Sequence, residues 1–460
     1  MSRVLIVADA FPPALGMGVQ RTLGFVRYLR DYGWEPVVLT ARDKSRIGWD
    51  PELCSRVPPD TSVIRTYWFN PRLVGKRLYM VLKGHQRPGT KEDLILGPMA
   101  SNGTTNTLRR WMHTWLLMPD EAIGWLPFAV RPGLRAIKTH RVKAIFSTSP
   151  SPVAHLIALI LKRVTGLPWV ADFRDLWTQS PYADRRQAYS LRWRYASERW
   201  LERQVLISAD RIVTVSEPLR AMLLGATPNP DPMRFHVITN GYDPAVIEGL
   251  QREPLSKFTI TYTGKFYGRS PIPFFQALSA LFEAGAIERE DFRVRIVGIS
   301  AQEVAEAVDE YGLGKVVRIL EQVPHAQALQ EQLNASALLL VVGPFQVEGT
   351  LTGKVFEYLA ASRPILGMVP QDSAVADLLR RSQAGIIVNP IDPGAIGSAI
   401  LDLYREFKAT GHVQWRGNET VIQEYARPKL TARLAAVLDN LVQHDAGARL
   451  RQHVSGEAST

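Results

Sequence analysis

Short β-branched runs alternate with helical segments along almost the whole chain, and few folds satisfy that alternation. Val4–Ala8 predicts a strand. Val19–Tyr32 predicts a helix, with Leu23, Val26 and Leu29 at helical spacing, and Glu35–Thr40 the next strand. After a gap the pattern resumes with strand Ala144–Ser147, helix Val153–Val164, strand Pro168–Phe173, a long helix over Arg185–Ser208 and strand Arg211–Val215. Strands that alternate with helices pair in parallel through crossovers, and the helices lie on the sheet faces. The expectation is therefore an α/β architecture.

A second series begins at Phe258–Thr263. Strands are predicted at Phe292–Val297, Val316–Leu320, Ala337–Val342, Pro364–Val369 and Gly385–Val388, with helices between them. The turn-rich segment Thr239-Asn240-Gly241-Tyr242-Asp243-Pro244 separates the two series. At 460 residues the chain exceeds what one hydrophobic core usually organises. Two similar halves facing one another are expected, 1–240 and 241–427. A helix over Pro428–Val442, within 428–444, is expected to return to the first half, and the tail 445–460 to be disordered. Residues from about 42 to 110 fit neither series and read as an insertion.

Composition narrows the function. The single cysteine, Cys54, excludes a disulfide framework and a cysteine-rich metal site, and fits a reducing compartment. The N-terminal apolar run is cut by Asp9 and two prolines, unlike a secretory leader. Val153–Leu161, interrupted by His155, is too short to span a bilayer. A cytoplasmic protein is expected, soluble or peripheral on the inner face of the membrane. The net charge of +11 favours anionic partners. No zinc-finger, helix-turn-helix or aromatic RNA-binding motif is present, so no nucleic acid is expected. There is no Asp-x-Asp and no His-Glu-x-x-His, so neither a metal nor a cofactor is expected. His155, on an apolar helix face, reads as a satisfied helix residue rather than a ligand.

Four segments could carry chemistry. Between the first strand and helix lies Phe11-Pro12-Pro13-Ala14-Leu15-Gly16-Met17-Gly18. Gly16 and Gly18 permit close backbone approach, and the helix start offers free N–H groups to a phosphate or a sugar oxygen. Asp172-Phe173-Arg174-Asp175-Leu176-Trp177 stands where a strand ends, the side of open α/β sheets on which ligands bind. It reads either as a sugar site or as an Asp–Arg pair fixing a loop. Ser147-Thr148-Ser149 upstream is a second hydroxyl-rich approach to a helix. In the second half, Gly264, Lys265 and Arg269 follow a strand and suit a diphosphate. Finally, Leu351, Thr352 and Gly353 lead into a helix carrying Lys354 and Glu357. Gly353 offers that helix start to phosphate, and Glu357 could accept hydrogen bonds from ribose hydroxyls or simply complement the dipole.

This arrangement resembles the retaining glycosyltransferases of family 4, whose GT-B fold sets two Rossmann-like domains across a cleft. The similarity runs through Val4–Pro13 with Gly16 and Gly18, Trp169–Asp175, Ala209–Ser216, Ile238–Asp243, and Lys354–Ala360 with Arg363-Pro364-Ile365. The branch it looks like acts in polysaccharide and glycolipid assembly. The resemblance implies transfer of a hexose, with retention and without a required metal, from a nucleotide diphosphate sugar to a glycan or lipid-linked acceptor. It assigns Lys265, Arg269, Glu357 and Asp172 to catalysis. Gly264, Leu351, Thr352, Gly353 and Lys354, with Glu357, would bind the donor, and Gly16, Gly18, Arg174 and Ser149 would form the acceptor side. Two departures stand out. Ser270 occupies the position of the family's second cation, with Arg269 one place early, and Glu348 falls one position off the family's spacing to Glu357. The amides of Leu351, Thr352 and Gly353 are expected to take over part of that glutamate's contact with the sugar. A nucleotide-sugar epimerase on the same plan and a non-catalytic membrane-surface protein are the alternatives.

The insertion bears on the membrane. Arg72, Lys76, Arg77 and Lys83 interleave with Leu73, Val74, Leu78, Tyr79, Met80 and Leu82, and Arg109-Arg110-Trp111 precedes Trp115-Leu116-Leu117-Met118. Such segments suit an anionic membrane surface or a solvated helix pair packed on the first half.

Overall fold

The structure is a computed structural model that describes residues 1–42, 49–69, 118–179, 192–266, 269–298, 304–321, 323–343 and 351–457. Two compact units divide the chain. The first holds Met1–Thr214, Arg220–Ile238 and Thr431–Thr460, and the second holds Val215–Leu219 and Thr239–Leu430.

The first unit is built on a seven-stranded, all-parallel sheet. Its strands are β1 (Ser2–Ala8), β2 (Trp34–Ala41), β3 (Ser62–Thr66), β4 (Ala144–Thr148), β5 (Trp169–Phe173), β6 (Arg211–Thr214) and β7 (Phe235–Val237), in the order β3-β2-β1-β4-β5-β6-β7. Val4, Leu5, Ile6 and Val7 of β1 have no exposed surface. A parallel strand covered by helices on both faces requires such a continuous apolar run. The order reverses between β1 and β4, which pair from Val4↔Ala144 to Ala8↔Thr148. The reversal opens a crevice beyond their carboxyl ends.

Two strands escaped the sequence pattern. β3 pairs with β2 inside the stretch expected to be an insertion, so that stretch begins as part of the sheet. The basic and aromatic segments that suggested a membrane interface, Arg72 to Lys83 and Leu108 to Leu117, lie outside the described residues, as does 185–191 of the long predicted helix. The predicted helix Val19–Tyr32 is a helix over Met17–Tyr28 followed by a tighter turn over Leu29–Tyr32, which ends at Gly33.

The last helix, Arg427–Glu457, belongs to the first unit from Thr431 onward. Leu434, Leu438 and Leu441 form its buried stripe, and the Trp34 indole N–H donates to Asp439 at 2.8 Å. The helix passes the expected end at Val442 and continues to Glu457, so the expected disordered tail is helical there. No proline interrupts Ala446-Gly447-Ala448-Arg449-Leu450-Arg451-Gln452, and most of these residues favour helix.

The second unit repeats the scheme with six parallel strands. These are β8 (Phe258–Thr263), β9 (Phe292–Val297), β10 (Val317–Leu320), β11 (Ala337–Val341), β12 (Ile365–Met368) and β13 (Gly385–Val388), in the order β10-β9-β8-β11-β12-β13. Here the reversal lies between β8 and β11, paired through Ala337↔Ile260 and Leu338↔Thr261. Phe258, Phe292, Tyr404 and Phe407 pack ring against ring under β8 and β9, with centroids 5.1–6.1 Å apart.

Candidate functional site

Each unit gathers its predicted residues at its own reversal point. In the second unit, Gly264 follows β8 with φ +85°, a conformation open to glycine. A Cβ there would stand 2.7 Å from Lys354 Cε, so the glycine also makes room for that side chain. Lys354 is the second residue of helix Gly353–Ala361, the next described helix after β11. Its Nζ donates to the Tyr262 hydroxyl at 2.8 Å and the Lys265 carbonyl at 3.2 Å, and lies 4.1 Å from the Tyr262 ring centroid. Tyr262 stacks on Phe266 with centroids 4.2 Å apart, which fixes this support. Burial, with the like charge of Arg269 nearby, pulls Lys354 down to about 7.

Two further cations stand at the same loop. Lys265 is exposed and its side chain has no partner among the described residues. Arg269 has its Nε buried and unpartnered. Thr352 is the N-cap of helix Gly353–Ala361, yet its side chain caps nothing, and its Oγ1 is buried without a partner. Among the described residues no side chain caps this helix start, which lies next to Lys354. A site with three cations and open amides beside it is a receptor for a multiply charged anion.

Glu357 sits one turn into the same helix. Its Oε1 accepts from His325 Nε2 at 2.9 Å and its Oε2 from Gln332 Nε2 at 3.3 Å. Burial alone would raise this carboxyl. The His325 ring, the two hydrogen bonds and the Arg427 charge outweigh burial and hold it below the usual carboxylate range. Neither His325 nor Gln332 was among the expected site residues. Their spacing was the available signal, because seven residues apart on a helix places them on one face. Glu348, Gly349 and Thr350 lie outside the described residues.

In the first unit the loops after β1, β4 and β5 meet. Gly16, at φ +131°, caps helix Met17–Tyr28 with no side chain of its own. A Cβ on Gly18 would come within 3.3 Å of Pro150 Cδ and 3.6 Å of Arg174 Nε. Ser149 is buried, and its hydroxyl accepts from the Asp175 amide at 3.1 Å. Arg174 pairs with Asp175 at 2.5 Å and keeps a buried, unpartnered Nε. Gly18, Ser149 and Arg174 therefore form one cluster, and Gly16 precedes Gly18 at the helix start with open space where its Cβ would be.

Asp172 departs from expectation. It was expected to reach substrate, yet it is fully buried and its oxygens are taken. Arg21 donates through Nη2 to Oδ1 at 2.8 Å and through Nε to Oδ2 at 2.9 Å, and Thr148 Oγ1 donates to Oδ2 at 2.7 Å. Arg21 also donates to the Ile238 carbonyl at 2.9 Å. The Asp–Arg reading of this segment holds in two places: Arg174 pairs with Asp175 inside the segment, and Arg21, outside it, holds Asp172. The pair fastens the first helix to the sheet under the loops instead of doing chemistry.

His155 is likewise internal. The Trp169 indole donates to Ser147 Oγ at 2.8 Å, so the Ser147 hydroxyl proton is left for His155 Nδ1, also at 2.8 Å. Burial pulls this ring down to about 4, so it is neutral and carries its proton on Nε2. Among the described residues, no group of three or more His, Cys, Asp or Glu could hold a metal ion.

Two family models match. Glycosyltransferase Family 4 covers residues 74–246 and Glycosyl transferases group 1 covers residues 257–406. No curated protein matches. Among solved structures, the fold is similar to Anabaena Alr3699/HepE in complex with UDP, with TM-score 0.59 and 12% identity over 96% of this chain and 100% of that one. It is also similar to a glycosyltransferase of Rickettsia africae, with TM-score 0.58 and 13% identity over 96% and 98% of the two chains. A third is the sucrose-phosphate synthase of Thermosynechococcus elongatus, with TM-score 0.50 and 14% identity over 99% of each chain. The two domain models match in order along the chain, and the fold of two Rossmann-like units is the GT-B fold.

Proposed function

We propose that this glycosyltransferase moves a hexose, with retention, from a nucleoside diphosphate sugar to a glycan or lipid-linked acceptor in cell-surface polysaccharide or glycolipid synthesis. The observation that carries the donor reading is the convergence of Lys265, Arg269, Lys354 and the open helix start at Gly353 between β8 and β11. A departing diphosphate gains negative charge as the glycosidic bond breaks. Cations and amides already in place stabilise that charge without reorganising. The leaving group can therefore be neutralised without a metal. Glu357, held ionised, would take the ribose hydroxyls, while the Leu351–Gly353 amides would meet phosphate or sugar oxygens. The Gly16–Gly18 loop with Ser149 and Arg174 is assigned to the acceptor. The structures of Anabaena Alr3699/HepE hold UDP in one case and UDP and glucose in another, which supports a donor of this class.

A membrane-bound acceptor draws support from the first unit. On helix Leu126–Thr139, Phe128, Arg131, Arg135 and Lys138 are exposed at helical spacing, and exposed Tyr67 meets Phe128 edge-on with centroids 5.0 Å apart. An aromatic ring with cations beside it suits a headgroup layer. No helix among the described residues is long and apolar enough to cross a membrane. The protein would then work at the cytoplasmic face.

The test is a thermal-shift panel of nucleoside diphosphates and their sugars, followed by release of the nucleotide with and without added acceptor. Acceptor-dependent release is the expected result, and a bound ligand raises the melting point by mass action. Release of nucleotide with epimerised free sugar and no dependence on acceptor would instead establish the epimerase reading.

A further inference from the structure

The geometry points to His325 and Gln332 as positioning residues that make Glu357 a two-point receptor for a vicinal diol, so that the chain selects ribonucleoside over 2′-deoxyribonucleoside diphosphates. The inference rests on the proposed donor reading and deepens it. An ionised carboxylate only accepts hydrogen bonds, so the 2.9 Å contact places the His325 proton on Nε2. The same logic fixes Gln332, whose amide nitrogen donates both to Glu357 Oε2 at 3.3 Å and to Thr263 Oγ1 at 3.2 Å.

The carboxylate is thus gripped through one bond on each oxygen. It cannot turn about its own axis without losing both. A carboxylate has about four acceptor positions, so roughly one remains on each oxygen. Two free positions on two fixed oxygens match two hydroxyls on adjacent ring carbons, not one. Gln332 is fully buried and its Thr263 partner closes β8 immediately before Gly264, so the receptor is tied to the loop that carries the cations. His325 opens helix His325–Leu333 and is fixed by its backbone. A hydroxyl missing from the ligand would leave one of these oxygens unpaired in a partly buried site, and sites built this way discriminate strongly.

The experiment is calorimetric titration of UDP, GDP and ADP, each beside its 2′-deoxy counterpart, into the full chain and its variants. The parent is expected to prefer the ribonucleotide by roughly tenfold or more, the effect of losing one hydrogen bond to a charged group. His325→Leu should weaken the ribonucleotide by about the same factor, leave the deoxynucleotide within about twofold, and so erase the preference. His325→Gln, which restores an N–H near the same place, should recover it. Should the leucine variant fail to fold, His325→Asn, whose amide is too short to reach Glu357, supplies the same comparison. Equal binding of ribo- and deoxynucleotide by the parent overturns the inference. So does equal weakening of both by His325→Leu, the mark of a merely structural residue. If no nucleotide of the panel binds, the donor reading itself fails.

Discussion

Occupation of the diphosphate site should draw a proton from solution, and the size of that uptake follows from Lys354. Its amine ordinarily titrates at 10.5, and in the empty site burial and Arg269 bring it to about 7. At pH 8 roughly nine-tenths of the sites therefore carry a neutral Lys354. A diphosphate beside Nζ restores the charged form, so binding at pH 8 takes up about 0.9 proton per site, against about 0.1 at pH 6. By linkage, nucleotide affinity should fall about tenfold per pH unit above 7, until the bound-state value is reached. The sign for folding is the companion result. Between 7 and 10.5 the unfolded chain holds the proton that the folded one has lost, so this group makes stability rise with pH through that window. The assay is titration calorimetry of UDP at pH 8 in buffers of contrasting protonation heat, with Lys354→Met as the reference. The slope of heat against buffer enthalpy should be near 0.9 for the parent and near zero for the variant, on the same arithmetic. Equal slopes for the two proteins would refute the assignment of Lys354 to the diphosphate.

Lys265→Ala should lower turnover at least about tenfold, as loss of a charged hydrogen bond of about 1.5–3 kcal/mol requires, with an unchanged melting point because the side chain is exposed and unpartnered. Arg21→Met strands the fully buried Asp172 carboxylate and should cost about 3–5 kcal/mol in urea unfolding; a small change would return Asp172 to consideration as a group that meets substrate. A chelator should leave transfer intact, and a strict requirement for Mg²⁺ or Mn²⁺ would contradict the cation-based account of the leaving group. Charge reversal of Arg131 and Arg135 should reduce sedimentation with anionic liposomes, each cation contributing about 1 kcal/mol at low salt, while hydrolysis of soluble donor stays constant. Sedimentation equal to the parent would leave that face an ordinary solvated surface.

The loops were legible because a parallel sheet writes them at one kind of place. Gly16, Ser149, Gly264 and Gly353 all lie where an apolar run gives way to a helix, and the sheet's order then brings them together in pairs. What the sequence hid was distance. Asp172 has an acid and a cation within three residues, yet its partner Arg21 stands 151 residues away. Glu357 shows its helix but not the His325 and Gln332 that hold it, since these lie 32 and 25 residues upstream on another helix. The strands β3 and β7 were missed for a different reason. Five residues that mix Ser, Arg and Thr with two aliphatics, and three that include a histidine, carry too little periodicity to separate from a loop.

The position of the final helix has a consequence for how the protein is made. The first unit needs residues from both ends of the chain, whereas the second is complete by Leu430. On a ribosome, then, the earlier-translated part of the first unit must wait with its helix-facing surface uncovered, including the Trp34 indole, until Thr431–Leu441 has emerged. The later-translated unit is free to fold first, reversing the usual order for a two-domain chain. A nascent chain stalled before Thr431 should accordingly yield a protease-resistant second unit attached to a protease-sensitive first one, and truncations that remove the last helix should damage the N-terminal half of the protein.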